Sequence, residues 1–294
     1  MSLVFPCQLV LRLACQENVI PRQESRIRFQ QRFVPRYHSM IIDSYTHCGV
    51  SKYHPIDVVS ATMQQAGVHR AVLAQHLGEF DNSYIQDVVT GNPDRFAGVC
   101  LVDHNSESAN ADLERLARSP SCQGVRWPIA PGIENLELVK RTLELGLVVV
   151  AYFPESIAVC VTDMNQLLES HPDGIVVASH LGNPTTNQPD PLRDFRQAGV
   201  FDLVSASGLV IQLSGMEMTT RFPHQDLHPL VAAFFDAAGP ARLTWGSNFP
   251  VVGRAREYLA ELQLVSSGQL PIPEEAIPAI VGGNAERIWF DRPA

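Results

Sequence analysis

The fold class this sequence predicts is a (β/α)8 barrel, and two observations predict it. Eight short apolar runs alternate with helical patterns from residue 41 onward, as a parallel sheet buried on both faces requires. Polar residues then recur at the C-terminal exits of those runs, the face of a barrel that carries chemistry. A doubly wound open sheet is the competing architecture. It would bring a glycine-rich phosphate loop after an early strand, and neither GxGxxG nor GxxxxGK occurs here.

The elements follow in order. The stretch 40–49 reads as a strand, with Ile41 and Ile42 leading to a polar exit at Asp43, Tyr45 and His47. Alternation puts those three side chains on one face. Residues 55–67 predict a helix ended by Gly67, and 69–76 a second strand leaving at Gln75 and His76. A helix over 82–91 precedes a third strand, 96–103, with Asp103 and His104 at its exit. A helix over 106–118 leads to a short fourth strand, 123–127, which carries Arg126. A helix over 134–145 ends at Gly146, and the fifth strand, 147–153, presents Tyr152. A helix over 156–171 is followed by a sixth strand, 175–180, apolar until His180. A helix over 191–199 and a strand over 209–213 come next, then a helix over 226–238 and an eighth strand, 242–246, with Asn248 just beyond. Helices over 254–266, 274–281 and 284–289 close the chain.

Composition narrows the function classes. The 294 residues are 45% hydrophobic with a net charge of −9, enough for one large core and unlike the basic surface that nucleic acid selects. No apolar run reaches the length of a membrane span. The six cysteines are scattered without a CxxC pair, so they read as core thiols and not as a disulfide or zinc framework. Residues 1–39 hold six arginines, two glutamates and no lysine. Arg12 interrupts their apolar stretch, which argues against a signal peptide. We read 1–39 as an extension, 40–294 as the barrel domain, and the location as cytoplasmic by default. Apolar helices on the outer ring permit a homodimer.

Several ordered motifs resemble the amidohydrolase superfamily. Asp43-Ser-Tyr-Thr-His47 is similar to its Asp-x-His-x-His opening, Gly124-Val-Arg126 to its strand-four motif and Ser179-His-Leu-Gly-Asn-Pro184 to its strand-six motif. Leu213-Ser-Gly215, Leu243-Thr-Trp-Gly-Ser-Asn-Phe-Pro250 and Asn284-Ala285 resemble the strand-seven, strand-eight and final-helix signatures. The resemblance spans about residues 40–291 and favours the lactonase branch. That branch implies hydrolysis of a small, carboxylated lactone.

Two departures bear on mechanism. Tyr45 stands where the family has its first metal-binding histidine, and Asn248 where it has an aspartate that acts as general base. Tyr152 likewise stands where metal-binding members carry a histidine. His47 and His180 alone fall short of the three or four protein ligands usual for a catalytic ion. The expectation is therefore no cofactor, and at most a weakly bound divalent metal.

The resemblance implies that His180 and His47, with Tyr45 and Asn248, form the catalytic group. It further implies that Arg126, Tyr152, His76, Asn82 and Arg221 meet an anionic small-molecule substrate. An amide has no basic site near neutral pH, so three readings of Asn248 stand open. A histidine has become the base, or the chain binds its ligand without turnover, or the asparagine was substituted to trap substrate. A metal-dependent decarboxylase is the alternative reaction within the superfamily.

Overall fold

The computed structural model describes residues 40–132, 134–184 and 190–291; the extension assigned to residues 1–39 lies outside them. The eight strands run β1 Ile42–Thr46, β2 Arg70–Ala74, β3 Phe96–Cys100, β4 Gly124–Pro128, β5 Val148–Tyr152, β6 Val176–Ala178, β7 Val210–Leu213 and β8 Leu243–Trp245. They form one parallel sheet in sequence order, and a bridge between Thr46 and Phe249 joins its two edges. The helices are α1 Ile56–Ala66, α2 Ser83–Gly91, α3 Ala109–Ala117, α4 Leu136–Glu144, α5 Val161–Ser170, α6 Pro191–Ala198, α7 Val200–Ala206, α8 His228–Ala238, α9 Ala255–Ser266 and α10 Asn284–Trp289. This is the predicted (β/α)8 architecture.

The sequence reading runs straight from the helix at 191–199 to strand seven and misses α7. Gly199 adopts a left-handed conformation, with φ 80°, that ends α6 and starts α7. A left-handed glycine commonly ends a helix, and here it turns the chain into a second one. The helix predicted over 274–281 is instead a 3-10 turn, Glu274–Ala276, and a π turn, Ala279–Gly283.

Two apolar layers hold the barrel. Side chains facing outward, such as Leu73, Trp127, Ala151 and Ile211, pack under the helices. An inner layer contains Ile42, Val72, Val99, Val148, Val150 and Val177, and Ile288 and Trp289 of α10 close its lower end. Burying each such valine is worth roughly 1.5–3 kcal/mol. The β-branched residues dominate because the pleated interior suits their stiff rotamers.

The seam between β1 and β8 is closed mainly by side chains. The Ser44 hydroxyl donates to the Trp245 carbonyl at 2.7 Å, and the Thr46 hydroxyl to Phe249 O at 3.1 Å. Asp43 accepts from the Ser247 amide at 2.8 Å and from its hydroxyl at 2.6 Å. Gly246 makes this approach feasible, since a Cβ there would lie 2.6 Å from the Tyr45 Cβ.

Strict alternation fails in β1. Asp43 pairs with Ala71, yet Thr46 pairs with Leu73, so three steps on β1 face two on β2. The extra residue is a bulge. Asp43 therefore points outward on the side of Ala71, whereas Tyr45 joins Ile42 in the inner cluster. Asp43 does not share the mouth-facing side of Tyr45, as the sequence reading expected. Its carboxylate is consumed bracing the seam, and burial pushes its pKa up to about 6 despite hydrogen bonds that oppose the shift.

Candidate active site

The C-terminal mouth of the barrel is built around Tyr45, which is 1% exposed. The edges of two imidazoles meet its ring: His47 at a centroid distance of 5.0 Å and His180 at 4.9 Å. The Arg126 guanidinium carbon lies over the same ring at 5.6 Å and over Tyr152 at 4.9 Å. Five residues from β1, β4, β5 and the exit of β6 thus form one cluster, although 135 positions separate Tyr45 from His180. Asn248 joins from the exit of β8, where its backbone N–H donates to the Tyr45 carbonyl at 2.9 Å.

Hydrogen bonds fix the tautomer of both histidines. His47 Nδ1 lies 2.6 Å from the Ala74 carbonyl. A carbonyl only accepts, so Nδ1 carries the proton and Nε2 of the neutral ring is an unprotonated acceptor, reached by the Asn248 side chain. The second case takes a longer chain. Gln212 Nε2 donates to both oxygens of Ser44 at 3.1 Å, which orients its amide. Gln212 Oε1 then accepts the Ser214 hydroxyl at 3.2 Å, leaving Ser214 Oγ to accept from His180 Nδ1 at 3.0 Å. His180 Nε2 is therefore unprotonated too. Gly215, at φ 64°, gives this ring its seat, because a Cβ there would collide with His180 Nδ1.

Burial, reinforced by the Arg126 charge, keeps both rings neutral. The His47 pKa falls to about 3, and that of His180 falls well below the ordinary histidine value. The unfolded chain therefore takes up protons near pH 6.5 that the folded rings refuse. Their contribution to stability is complete above pH 6.5 and erodes as pH falls. The raised Asp43 value acts in the opposite direction, since its stabilising effect is lost as pH rises toward 6. The two histidines outweigh it. Unfolding free energy measured in urea should be lower at pH 5 than at pH 7.5 by about 1–3 kcal/mol, from ~1.4 kcal/mol per pKa unit per group. A higher value at pH 5 would mean that the rings are charged in the folded protein.

Two donors in the cluster lack a partner. Among the described residues, Tyr45 Oη and Arg126 Nε are buried without any acceptor. Among the described residues the Arg126 side chain makes one hydrogen bond, a long one from Nη1 to Gln75 O at 3.4 Å. Burial raises the Tyr45 pKa to about 12, so its phenol stays protonated and can donate. The mouth thus combines unused donors with unprotonated imidazole nitrogens and one buried cation.

The other sequence-derived candidates fall at varying distances from this cluster. Tyr152 is half-buried beneath Arg126. His76, also half-buried, meets Tyr53 edge-on at 5.5 Å. Asn82 has its amide fully engaged: Nδ2 donates to Phe80 O and Leu101 O, and Oδ1 accepts from Leu101 N. That arrangement braces the loop after β2 against β3. Arg221 is exposed in the loop after β7.

Two residues that sequence reasoning passed over lie against the cluster. Tyr53 stacks on His47 at 4.8 Å with an interplanar angle of 19°. Glu217, half-buried after β7, accepts from Asn248 Nδ2 at 2.7 Å. The one signal for Glu217 was an acid two positions beyond the Leu213-Ser-Gly215 motif, in a chain whose strand-eight acid is missing.

A parallel barrel with a polar constellation at its C-terminal mouth defines a (β/α)8 enzyme-type scaffold. The amidohydrolase family model matches residues 48–290, and the chain belongs to that family. It is 28% identical over 258 residues to an L-fucono-1,5-lactonase of Burkholderia ambifaria, covering 79% of this chain and 84% of that one. Among solved structures, it resembles the probable 2-pyrone-4,6-dicarboxylic acid hydrolase of Acinetobacter baumannii, with citric acid bound, at TM-score 0.67. Identity there is 16%, with 84% of this chain and 98% of that one covered. A zinc-bound amidohydrolase of Burkholderia multivorans matches at TM-score 0.68 and 19% identity, covering 85% of this chain and 99% of that one. Decarboxylases also occur among the structural neighbours. Among the described residues no helix is long and apolar enough to cross a membrane.

Proposed function

We propose that the protein hydrolyses a small carboxylated lactone without a resident metal ion. The observation that carries this reading is Arg126, a buried guanidinium with an unused Nε donor and no carboxylate partner among the described residues. A buried cation without a counter-charge is costly, and a substrate carboxylate taken by its fork would supply the missing charge. The lactonase relative supports the reaction class.

In this mechanism Arg126 holds the carboxylate, with Tyr152 and His76 beside it. The Tyr45 hydroxyl donates to the ring carbonyl oxygen and stabilises the oxyanion as it forms. His180 accepts a hydrogen bond from the attacking water at Nε2 and orients it, with His47 beside it. Water adds to the carbonyl carbon, the ring C–O bond breaks, and the former ring oxygen leaves as a hydroxyl.

The donor set argues against a resident divalent ion. Two neutral imidazoles and an amide bear no negative charge, the one carboxylate against them, Glu217, is bound by that amide, and the adjacent Arg126 charge opposes a second cation. Among the described residues no group of three or more His, Cys, Asp or Glu side chains is placed to hold a metal.

Purified protein assayed on matched lactones with and without a carboxylate should release hydroxy acid only from the carboxylated set, unchanged by chelator. One firmly bound ion per chain would overturn the metal-free mechanism. Release of carbon dioxide would favour a decarboxylase, and tight binding without turnover a non-catalytic binding protein.

A further inference from the structure

Resting on that lactonase reading, we infer that Glu217 is the general base, in place of the acid absent from position 248, and that Asn248 positions it. The two side chains are joined directly, Asn248 Nδ2 donating to Glu217 Oε1 at 2.7 Å. Asn248 is buried at the exit of β8, its backbone is tied to Tyr45, and its side chain reaches His47. The amide thus links the loop after β7 to the cluster around Tyr45. The Glu217 carboxylate also receives its own backbone N–H, and among the described residues Asn248 gives it its one side-chain hydrogen bond.

A histidine base is the competitor. Both rings have an unprotonated Nε2, but each is held far below ordinary basicity by burial and by Arg126, and the Asn248 side chain reaches that of His47. A base works best when its pKa lies near the working pH. Burial raises that of Glu217; the Asn248 hydrogen bond opposes the shift, Glu261 on α9 adds to it, and His224 before α8 subtracts. Glu261 is itself engaged by His224 Nε2 at 2.9 Å. Of the acids near the mouth, Asp43 is spent on the seam and Glu261 on His224, whereas Glu217 is joined through Asn248 to the cluster around Tyr45.

The step balances with water alone. The water oxygen bonds to the lactone carbonyl carbon while one of its protons passes to Glu217. When the tetrahedral intermediate collapses, the ring C–O bond breaks and its oxygen recovers that proton from Glu217. The carboxylate is regenerated and a hydroxy acid leaves.

The test compares wild type, Glu217→Gln and Glu217→Asp on a carboxylated lactone across pH 4–9. Binding of the corresponding lactam is measured on each by calorimetry. Glu217→Gln should lower kcat by about 10²–10⁴-fold, leave KM and lactam affinity within a few-fold, and abolish the acid limb of the rate profile. Glu217→Asp should keep that limb at reduced rate, and it decides the matter should the glutamine variant fail to fold. An active wild type whose glutamine variant keeps its rate and its acid limb overturns this inference alone. So does a variant that loses lactam affinity along with rate, which would make Glu217 a binding residue. A wild type inert on every carboxylated lactone overturns the lactonase reading, and this inference with it.

Discussion

Arg126→Met should raise the stability of the protein while removing the turnover of carboxylated lactones proposed for it. Arg126 is 6% exposed, and its single recorded side-chain hydrogen bond is 3.4 Å long. Its faces on Tyr45 and Tyr152 return roughly 1–2 kcal/mol each at best. The desolvation of a charged group costs several kcal/mol. Methionine is of similar length, fills irregular space readily and carries no charge. A net gain of about 1–3 kcal/mol is expected, seen as a rise of several degrees in Tm.

The loss on the functional side is larger. Removing one partner of a buried charge pair costs about 2–5 kcal/mol, or roughly 30- to several-thousand-fold in kcat/KM. The two readouts must move in opposite directions. A variant that is less stable than wild type but still active would show that the guanidinium serves the fold and not the substrate. A saturating carboxylated ligand should also raise the Tm of wild type and leave that of the variant unmoved.

Asn248→Asp installs the acid that the strand-eight motif resemblance implies at this position, and it should harm this protein. The new carboxylate would face Glu217 across a contact that is now a 2.7 Å hydrogen bond. Two carboxylates that close cannot both ionise, so they share a proton and titrate as a pair with one value strongly raised. The folded variant keeps this proton while the unfolded chain releases it near pH 4. Stability should therefore match wild type near pH 4 and fall as pH rises through the upper value of the pair. A deficit of about 2–4 kcal/mol at pH 8 is expected, from repulsion of unit charges ~4 Å apart at an effective dielectric constant near 20. The double variant Asn248→Asp/Glu217→Gln exchanges acid and amide across the contact and should recover most of that loss. Chemical unfolding at pH 4.5 and pH 8 measures both. A single variant as stable as wild type at pH 8 would mean that the two side chains do not meet.

The barrel was legible because each strand is a short apolar run bounded by a helix or a glycine, so period and punctuation agree. The polar exits pointed to Tyr45, His47, Arg126, His180 and Asn248, and these five come together at the mouth. Asp43 was misplaced because a bulge leaves no mark on composition; only the partner strand reveals the extra residue. Asn82 reads identically in sequence whether its amide faces a ligand or the backbone of Phe80 and Leu101, as it does here. Glu217 and Tyr53 sit on loops whose paths are set by tertiary contacts, so no period or spacing announces them. Tautomers are also beyond sequence, because His180 gets its own through Ser44, Gln212 and Ser214.

The seam between β1 and β8 has a consequence for how the protein is made. Its bonds join residues 201 to 204 positions apart, and Tyr45 and His47 stand on one side of it with Asn248 on the other. Such distant contacts form late, after the intervening chain has organised. During synthesis the first half of the site emerges some two hundred residues before the second. A ribosome-bound chain halted before Asn248 would already hold His47, Arg126 and His180, yet it could not bring the amide to Glu217. Acquisition of ligand binding by such stalled chains, as the halt is moved past residue 250, would time the closing of the ring.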